Sequence, residues 1–250
     1  METIWITGAS SGIGKALALK FANEGWQVAA SARSENLLKI ISESNKNITS
    51  FPLDVTNGEN CKEIFEQIKN KYESINICFF STGTWDPKKE KDIDIDQMKK
   101  VMNVNFFGTL NCIKAVEKYF KEKNNGHISI VSSIAGYRGL PNSTGYGASK
   151  AALNNLAESL YFDFGRYNVR VSLVSPGFIK TPMTDKNEFK MPFLKTAEYA
   201  ADKIYRGLIN SSSFEIDFPK ELTLILKFLK ILPDSLYFKL IRKLTKFQKR

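Results

Sequence analysis

The opening residues constrain the fold more than any other stretch. Thr3 to Thr7, TIWIT, is a short β-branched and apolar run; GASSGIG follows with Gly8, Gly12 and Gly14 in one turn; KALALKFANEG then takes up a helical apolar period. A strand that ends in glycines and enters a helix directly is the first half of a β-α-β unit, whose next strand lies parallel to the first. The alternation continues along the chain. Strands are predicted at Thr3–Thr7, Gln27–Ala32, Thr49–Leu53, Asn76–Ser81, His127–Ser132, Arg170–Val174 and Phe214–Phe218, and helices near 12–23, 35–44, 58–71, 94–121, 144–166 and 197–210. Several of the strands are apolar almost throughout, as a sheet covered on both faces requires. The expected architecture is α/β, a doubly wound parallel sheet of about seven strands with helices on both sides.

A chain of 250 residues with 43% hydrophobic content can bury one such core. His127 is the single histidine, so a Ser-His-Asp or Cys-His mechanism would have to use it, and no two-histidine metal site can form. It stands at the start of the apolar run HISIVSS, where a structural role is expected. Cys61, Cys78 and Cys112 are too few and too scattered for a disulfide framework or a zinc site; they are expected to be small buried hydrophobes in a reducing compartment. METIWITGAS lacks a basic segment ahead of its apolar run, so no signal peptide is expected and the expected location is the cytoplasm.

The glycines of the first turn let backbone approach a pyrophosphate at the exposed N–H groups of a helix start. Their spacing, G-x-x-x-G-x-G, differs both from G-x-G-x-x-G and from a Walker A loop, since Lys15, although it follows Gly14, is not followed by Ser or Thr. The segment that begins Thr7-Gly8 and ends Gly12-Ile13-Gly14 resembles the short-chain dehydrogenase/reductase family, and the rest of the chain carries further matches. Asn105 lies in NVNFFGTL, Ser133 follows the fifth strand, Tyr146 and Lys150 are spaced Y-x-x-x-K, and SPGFIKT follows the sixth strand. The resemblance covers about residues 2–218 and implies a Rossmann-like catalytic domain there, with 219–250 as a C-terminal amphipathic, basic helical extension.

The resemblance implies a nicotinamide dinucleotide held by Gly8, Ser10, Ser11, Gly12, Ile13 and Gly14 at the pyrophosphate, by Asp54 and Val55 beside the adenine, and by Ser81 and Gly83 after the fourth strand. It further implies Pro176, Gly177, Ile179 and Thr181 at the nicotinamide, with Tyr146 and Lys150 reaching its ribose. The second strand ends at Ala32, where NAD-preferring members carry a carboxylate, and Arg33 follows. A guanidinium there can pair with a 2′-phosphate, so NADP(H) is expected over NAD(H); a solvated surface arginine is the plain alternative. The family usually reads Asn-Asn-Ala-Gly where this chain has Phe80-Ser81-Thr82-Gly83, keeping the glycine and losing both amides.

The catalytic set implied is Asn105, Ser133, Tyr146 and Lys150. Tyr146 and Lys150 are four apart on a helical pattern and share a face. A phenol with a pKa of ~10 is a weak base near neutrality, and an adjacent ammonium favours its ionised form. Ser133 would then bond the substrate oxygen, and Asn105 would hold a proton-relaying water. Singly, each has an ordinary use: Ser133 as a strand-end hydroxyl, Asn105 as a polar residue at a helix bend, Tyr146 as an interface aromatic. The expected activity is hydride exchange between NADP(H) and a carbonyl or alcohol of an apolar, lipid-like substrate, in a homodimer or homotetramer. A cofactor-binding sensor without catalysis, motivated by FSTG, stays open as the alternative.

Two loops, Gly83–Asp96 and Phe178–Thr196, are candidate walls of the site; Met183, Phe189, Met191 and Phe193 read either as an adaptable lid or as core. The net charge of +10 is concentrated at the end, where residues 220–250 hold nine Lys/Arg against Glu221 and Asp234. With no reading motif, nucleic acid is not an expected partner. LTLILKFLKIL, 222–232, is too short and too interrupted by lysine to span a bilayer. On a helix, Lys220, Thr223, Lys227 and Lys230 form a polar stripe, and most of the remainder is apolar and should be covered. Tyr237, Leu240, Ile241, Leu244 and Phe247 form a second apolar face, with Lys239, Arg242, Lys243 and Lys246 around it. Peripheral contact with an anionic membrane and contact with protein both remain open for this segment.

Overall fold

The computed structural model describes residues 1–86 and 93–245. The strands are β1 (Thr3–Thr7), β2 (Gln27–Ser31), β3 (Ile48–Ser50), β4 (Ile77–Phe80), β5 (Gly126–Val131), β6 (Val169–Pro176) and β7 (Glu215–Phe218). The helices are α1 (Gly12–Asn23), α2 (Glu35–Ser44), α3 (Gly58–Lys71), α4 (Ile95–Met102), α5 (Gly108–Lys123), α6 (Thr144–Gly165), α7 (Ala197–Ile209), α8 (Lys220–Lys230) and α9 (Asp234–Thr245). All pairings are parallel, in the order β3-β2-β1-β4-β5-β6-β7. The order reverses between β1 and β4, and the crevice beyond their carboxyl ends is where ligands bind in such sheets.

The period of two explains the two cores. Ile4 and Ile6 of β1, Val28 and Ala30 of β2, and Ile77 and Phe79 of β4 join Leu17, Phe21 and Ile204 on one side of the sheet. Trp5, Ala29, Cys78 and Phe80, the alternate residues, join Phe65, Val116 and Leu153 on the other. His127 is buried with its Nε2 2.8 Å from Ser172 Oγ; burial, then the charge of Arg170, lowers its pKa to about 3, so it is neutral and structural.

Three sequence expectations are revised. The helix expected over 94–121 is two helices joined by a π-turn, Asn103–Phe107, which places Asn105 in that wider turn. The third strand stops at Ser50 rather than running from Thr49 to Leu53, since Pro52 has no N–H to give, although Phe51 and Leu53 still donate to Ala30 and Ala32 across it. The sixth strand runs two residues further, to Pro176. The three cysteines are buried free thiols as expected, Cys61 and Cys112 bringing their sulfurs to 3.8 Å although distant in the chain.

The C-terminal segment forms α8 and α9, and their inward faces differ from the expected ones. Most of the polar stripe of α8 is drawn toward the sheet, Lys230 staying in solvent: Thr223 is fully buried, Lys227 Nζ lies 2.7 Å from Glu215 Oε2 and 3.2 Å from Asp217 Oδ1, and Lys220 Nζ lies 2.6 Å from Asp217 Oδ1. Two carboxylates on β7 pull these cations in. Leu222 and Leu229 pack inward as well, whereas Leu224, Ile225, Phe228 and Ile231 stay in solvent. On α9, Tyr237 and Ile241 are buried against Leu229, while Leu244 is exposed. Lys246 and Phe247 of the predicted second face, and 87–92 of the predicted first loop, lie outside the described residues.

Arg138 fastens this hairpin. Its guanidinium donates to the carbonyls of Leu229, Lys230 and Leu232 at 3.2, 3.2 and 2.8 Å, pairs with Asp234, and lies 3.9 Å from the Tyr237 ring centre. Carbonyls at a helix end otherwise lack partners. Arg138→Ala should therefore weaken docking of 220–245 by about 2–3 kcal/mol. Amides of α8 and α9 should exchange with solvent roughly 30- to 150-fold faster, the β1 and β4 amides remaining protected. Unchanged protection in 220–245 would refute this role.

Candidate active site

A cavity of about 350 Å³ lies beyond the carboxyl ends of the central strands. At one end the turn between β1 and α1 supplies Gly8, Ser10, Ser11, Gly12, Ile13 and Gly14. Gly8 (φ +70°) and Gly12 (φ +52°) adopt left-handed backbone that side chains disfavour. A Cβ on Gly8 would stand 3.0 Å from the Ser81 carbonyl and the Thr82 nitrogen, and one on Gly12 would stand 3.0 Å from Thr181. These glycines keep bare backbone and a helix start facing the cavity, the surroundings a pyrophosphate needs. The dinucleotide expected from the sequence fits this cradle.

The adenosine end is bounded by Arg33, Leu53 and Val55. Arg33 is exposed, and Ala32 beside it leaves no carboxylate at the end of β2. Asp54 does not line the cavity, unlike the other sixteen residues expected at a cofactor. Its carboxylate accepts from the Thr56 N–H at 3.0 Å and the Thr56 hydroxyl at 2.8 Å. Burial alone would raise the Asp54 pKa, but those two bonds and the charge of Arg33 hold it below its usual range. It shapes the loop that presents Val55.

The unusual Phe80-Ser81-Thr82-Gly83 has a local account. Ser81 Oγ donates to the Thr7 carbonyl at 2.6 Å, and Ser81 N–H to Thr7 Oγ1 at 3.2 Å, so β4 is tied to β1 without an amide side chain. A Cβ on Gly83 would come within 3.6 Å of Asn105 Oδ1 and 3.7 Å of Lys150 Nζ. Gly83 thus lies beside two of the four expected catalytic residues, and a Cβ there would make only ordinary contacts with them.

Those four converge from different elements. Ser133 follows β5, lines the cavity, and accepts the Ala135 N–H at 3.1 Å. Tyr146 and Lys150 project from the first turns of α6 into the same cavity. That helix is held to the end of β5 by Ser132 Oγ, which donates to the Lys150 carbonyl at 3.0 Å, and by Asn154, which donates to the Gly136 carbonyl at 2.9 Å. Lys150 Nζ donates to the Val131 carbonyl at 2.9 Å and sits 5.6 Å from the Tyr146 ring centre. Burial lowers its pKa to about 8. Asn105 is fully buried and does not line the cavity. Its Oδ1 accepts the Thr84 N–H at 2.7 Å, and its Nδ2 donates to the Thr84 carbonyl at 3.1 Å and to Ser149 Oγ at 3.0 Å.

Sequence reasoning passed over Thr84, Trp85 and Ser149. The Trp85 ring lies 5.3 Å from that of Tyr146, tilted by 33°, and its buried indole N–H has no hydrogen-bond partner among the described residues. Ser149, three residues after Tyr146, could have been found from helical spacing; Trp85, in a loop, had no periodicity to reveal it. The opposite wall is Pro176, Gly177, Ile179 and Thr181, continued by Pro182, Met183 and Thr184. Met183 lines the cavity; Phe189 meets Phe178 ring to ring at 5.7 Å yet stays half-exposed, as does Phe193, so these are not core residues.

A switch-point cavity with a glycine cradle at one end and a buried lysine beside a phenol at the other defines a nucleotide-dependent oxidoreductase of the doubly wound class. The chain belongs to the short-chain dehydrogenase family, whose model, described as short chain dehydrogenase, matches residues 2–191. It is an enzyme acting on CH–OH or C=O groups with NAD(P). An "Uncharacterized oxidoreductase" of Myxococcus xanthus is 31% identical over 247 residues, 97% of each chain. The 3-oxoacyl-(acyl-carrier-protein) reductase FabG of Thermotoga maritima is 39% identical over 190 residues, 72% of this chain and 75% of its own. Among solved structures, ElxO with NADP bound superposes with a TM-score of 0.76 at 28% identity, covering 86% of this chain and 97% of the other.

Proposed function

We propose that this enzyme is an NADP(H)-dependent carbonyl reductase, reversible as an alcohol dehydrogenase, for an apolar substrate. The observation that carries the cofactor preference is Arg33, exposed at the adenosine end of the cavity with Ala32 where a ribose-binding carboxylate would stand. A guanidinium favours the dianionic 2′-phosphate of NADP, and nothing acidic at the end of β2 opposes it. The NADP-bound structure of the similar ElxO supports the same choice. Met183 on the wall and Phe178 with Phe189 beyond it support an apolar substrate.

The nicotinamide, when bound, supplies or takes the hydride. In the reductive direction the Tyr146 hydroxyl donates a proton to the carbonyl oxygen, which Ser133 also hydrogen-bonds. Lys150, still mostly protonated at neutral pH, stabilises the resulting phenolate. Asn105 acts through the chain, pinning both edges of the Thr84 peptide and Ser149, one residue from Lys150.

The reading is tested by NADPH oxidation with a panel of hydrophobic ketones, together with Arg33→Ala. The variant should bind NADPH roughly 10- to 100-fold more weakly and NADH as before. Unchanged NADPH affinity would remove the cofactor assignment; no turnover of any ketone would remove the substrate class.

A further inference from the structure

Helix α8 carries apolar side chains on its outward face as well as its inward one. Its Thr223 and Lys227 face the sheet, while Leu224, Phe228 and Ile231 are 61%, 60% and 77% exposed. With Ile225 they sit at positions i, i+1, i+4 and i+7, one outward face of a helix. Scattered apolar side chains on a surface need no explanation, but an outward face of four on one helix does.

The charges beside that face are mostly positive, with Glu221, exposed one turn before Leu224 and Ile225, as the acidic exception. Lys220 and Lys227 are neutralised by Asp217 and Glu215, and Asp234 by Arg138. Lys230, Lys239, Arg242 and Lys243 are exposed and form no ion pair among the described residues. Residues 220–250 hold nine basic against two acidic residues, so the apolar face lies in the cationic part of the chain. Next to α8, Phe178 packs against the cluster of Ile134, Tyr137 and Leu222 and carries the ring of Phe189, half-exposed like Phe193. Among the described residues no helix is long and apolar enough to cross a membrane.

We infer that the outward face of α8, with the basic outer side of α9, docks onto the surface of an anionic lipid bilayer. The leucine, isoleucine and phenylalanine side chains enter the boundary between headgroups and acyl chains, and the lysines and arginine meet lipid phosphates. The cations are what select a bilayer over another apolar occupant. A second copy of this chain would bring the same positive charge to the interface, and like charges there oppose association.

The test uses the full-length protein with vesicles of phosphatidylcholine alone or with phosphatidylglycerol. Co-sedimentation should require phosphatidylglycerol and decline as salt rises. Each basic side chain near such a surface contributes roughly fivefold, so Lys239→Gln, Arg242→Gln and Lys243→Gln together should weaken binding by roughly 100-fold. Leu224→Ser with Phe228→Ser should abolish it, and these exposed changes should leave thermal unfolding unaltered. Equal pelleting with neutral vesicles, or pelleting unaffected by either set, would overturn the inference. So would light scattering in which the serine variant alone dissociates an oligomer, because the face would then be covered by a second copy.

Discussion

Tyr146→Phe should lower turnover by roughly 10²- to 10⁴-fold while NADPH binding and thermal unfolding stay close to those of the parent. The expectation rests on what the substitution keeps as well as on what it removes. The ring against Trp85, 5.3 Å away, remains, so packing at the mouth of the site survives. The hydroxyl, the one group that can deliver a proton to a carbonyl oxygen from this position on α6, is gone. Single-turnover rates with NADPH and a hydrophobic ketone separate the two effects. A variant that retained turnover within a few fold would place the proton donor elsewhere.

Lys150 gives the second large effect, because its burial sets activity and stability against one another. With the folded pKa lowered to about 8 from the ordinary lysine value of 10.5, the amine is charged in both states below pH 8, and the folded state carries the full cost of the buried charge. Between pH 8 and 10.5 the unfolded chain binds the proton and the folded chain does not, so stability rises with pH across that window, by about 3 kcal/mol in all. Activity should move the other way. Above about pH 8 the ammonium beside Tyr146 disappears and the reduction rate should fall. Lys150→Met should lose at least ~10²-fold in turnover, and its denaturation midpoint should lack the rise that the wild type shows from pH 8 to 10.5. Parallel stability curves for the two proteins would show that the lysine is not held in this way. Removing the amine also leaves the Val131 carbonyl without its 2.9 Å donor, so the pH dependence, not the absolute stability, is the diagnostic.

Much of the site was readable before any tertiary contact was known. Gly8, Gly12 and Gly14 stand out because backbone with positive φ, or lying against other backbone, tolerates little else. Tyr146 and Lys150 stand out because four residues make roughly one helical turn. The period of two along β1 and β4 already divided Ile4 and Ile6 from Trp5, and Ile77 and Phe79 from Cys78 and Phe80, across the sheet. Asn105 was found as a residue type but not as a geometry. Only the π-turn and the Thr84 peptide, 21 residues earlier, show that its amide is spent on holding a loop rather than facing the cavity.

The same division holds at the C-terminus. The sequence alone determined that residues 220–245 make two amphipathic helices with an excess of positive charge, because composition and spacing are local properties of a chain. It could not determine which face of α8 turns inward. That was decided by Glu215 and Asp217 on β7, which attract Lys220 and Lys227 toward the sheet, and by Arg138, which binds the end of the helix from 91 residues away in the chain. A helical period shows that two faces differ; the groups waiting on neighbouring elements settle which one meets solvent.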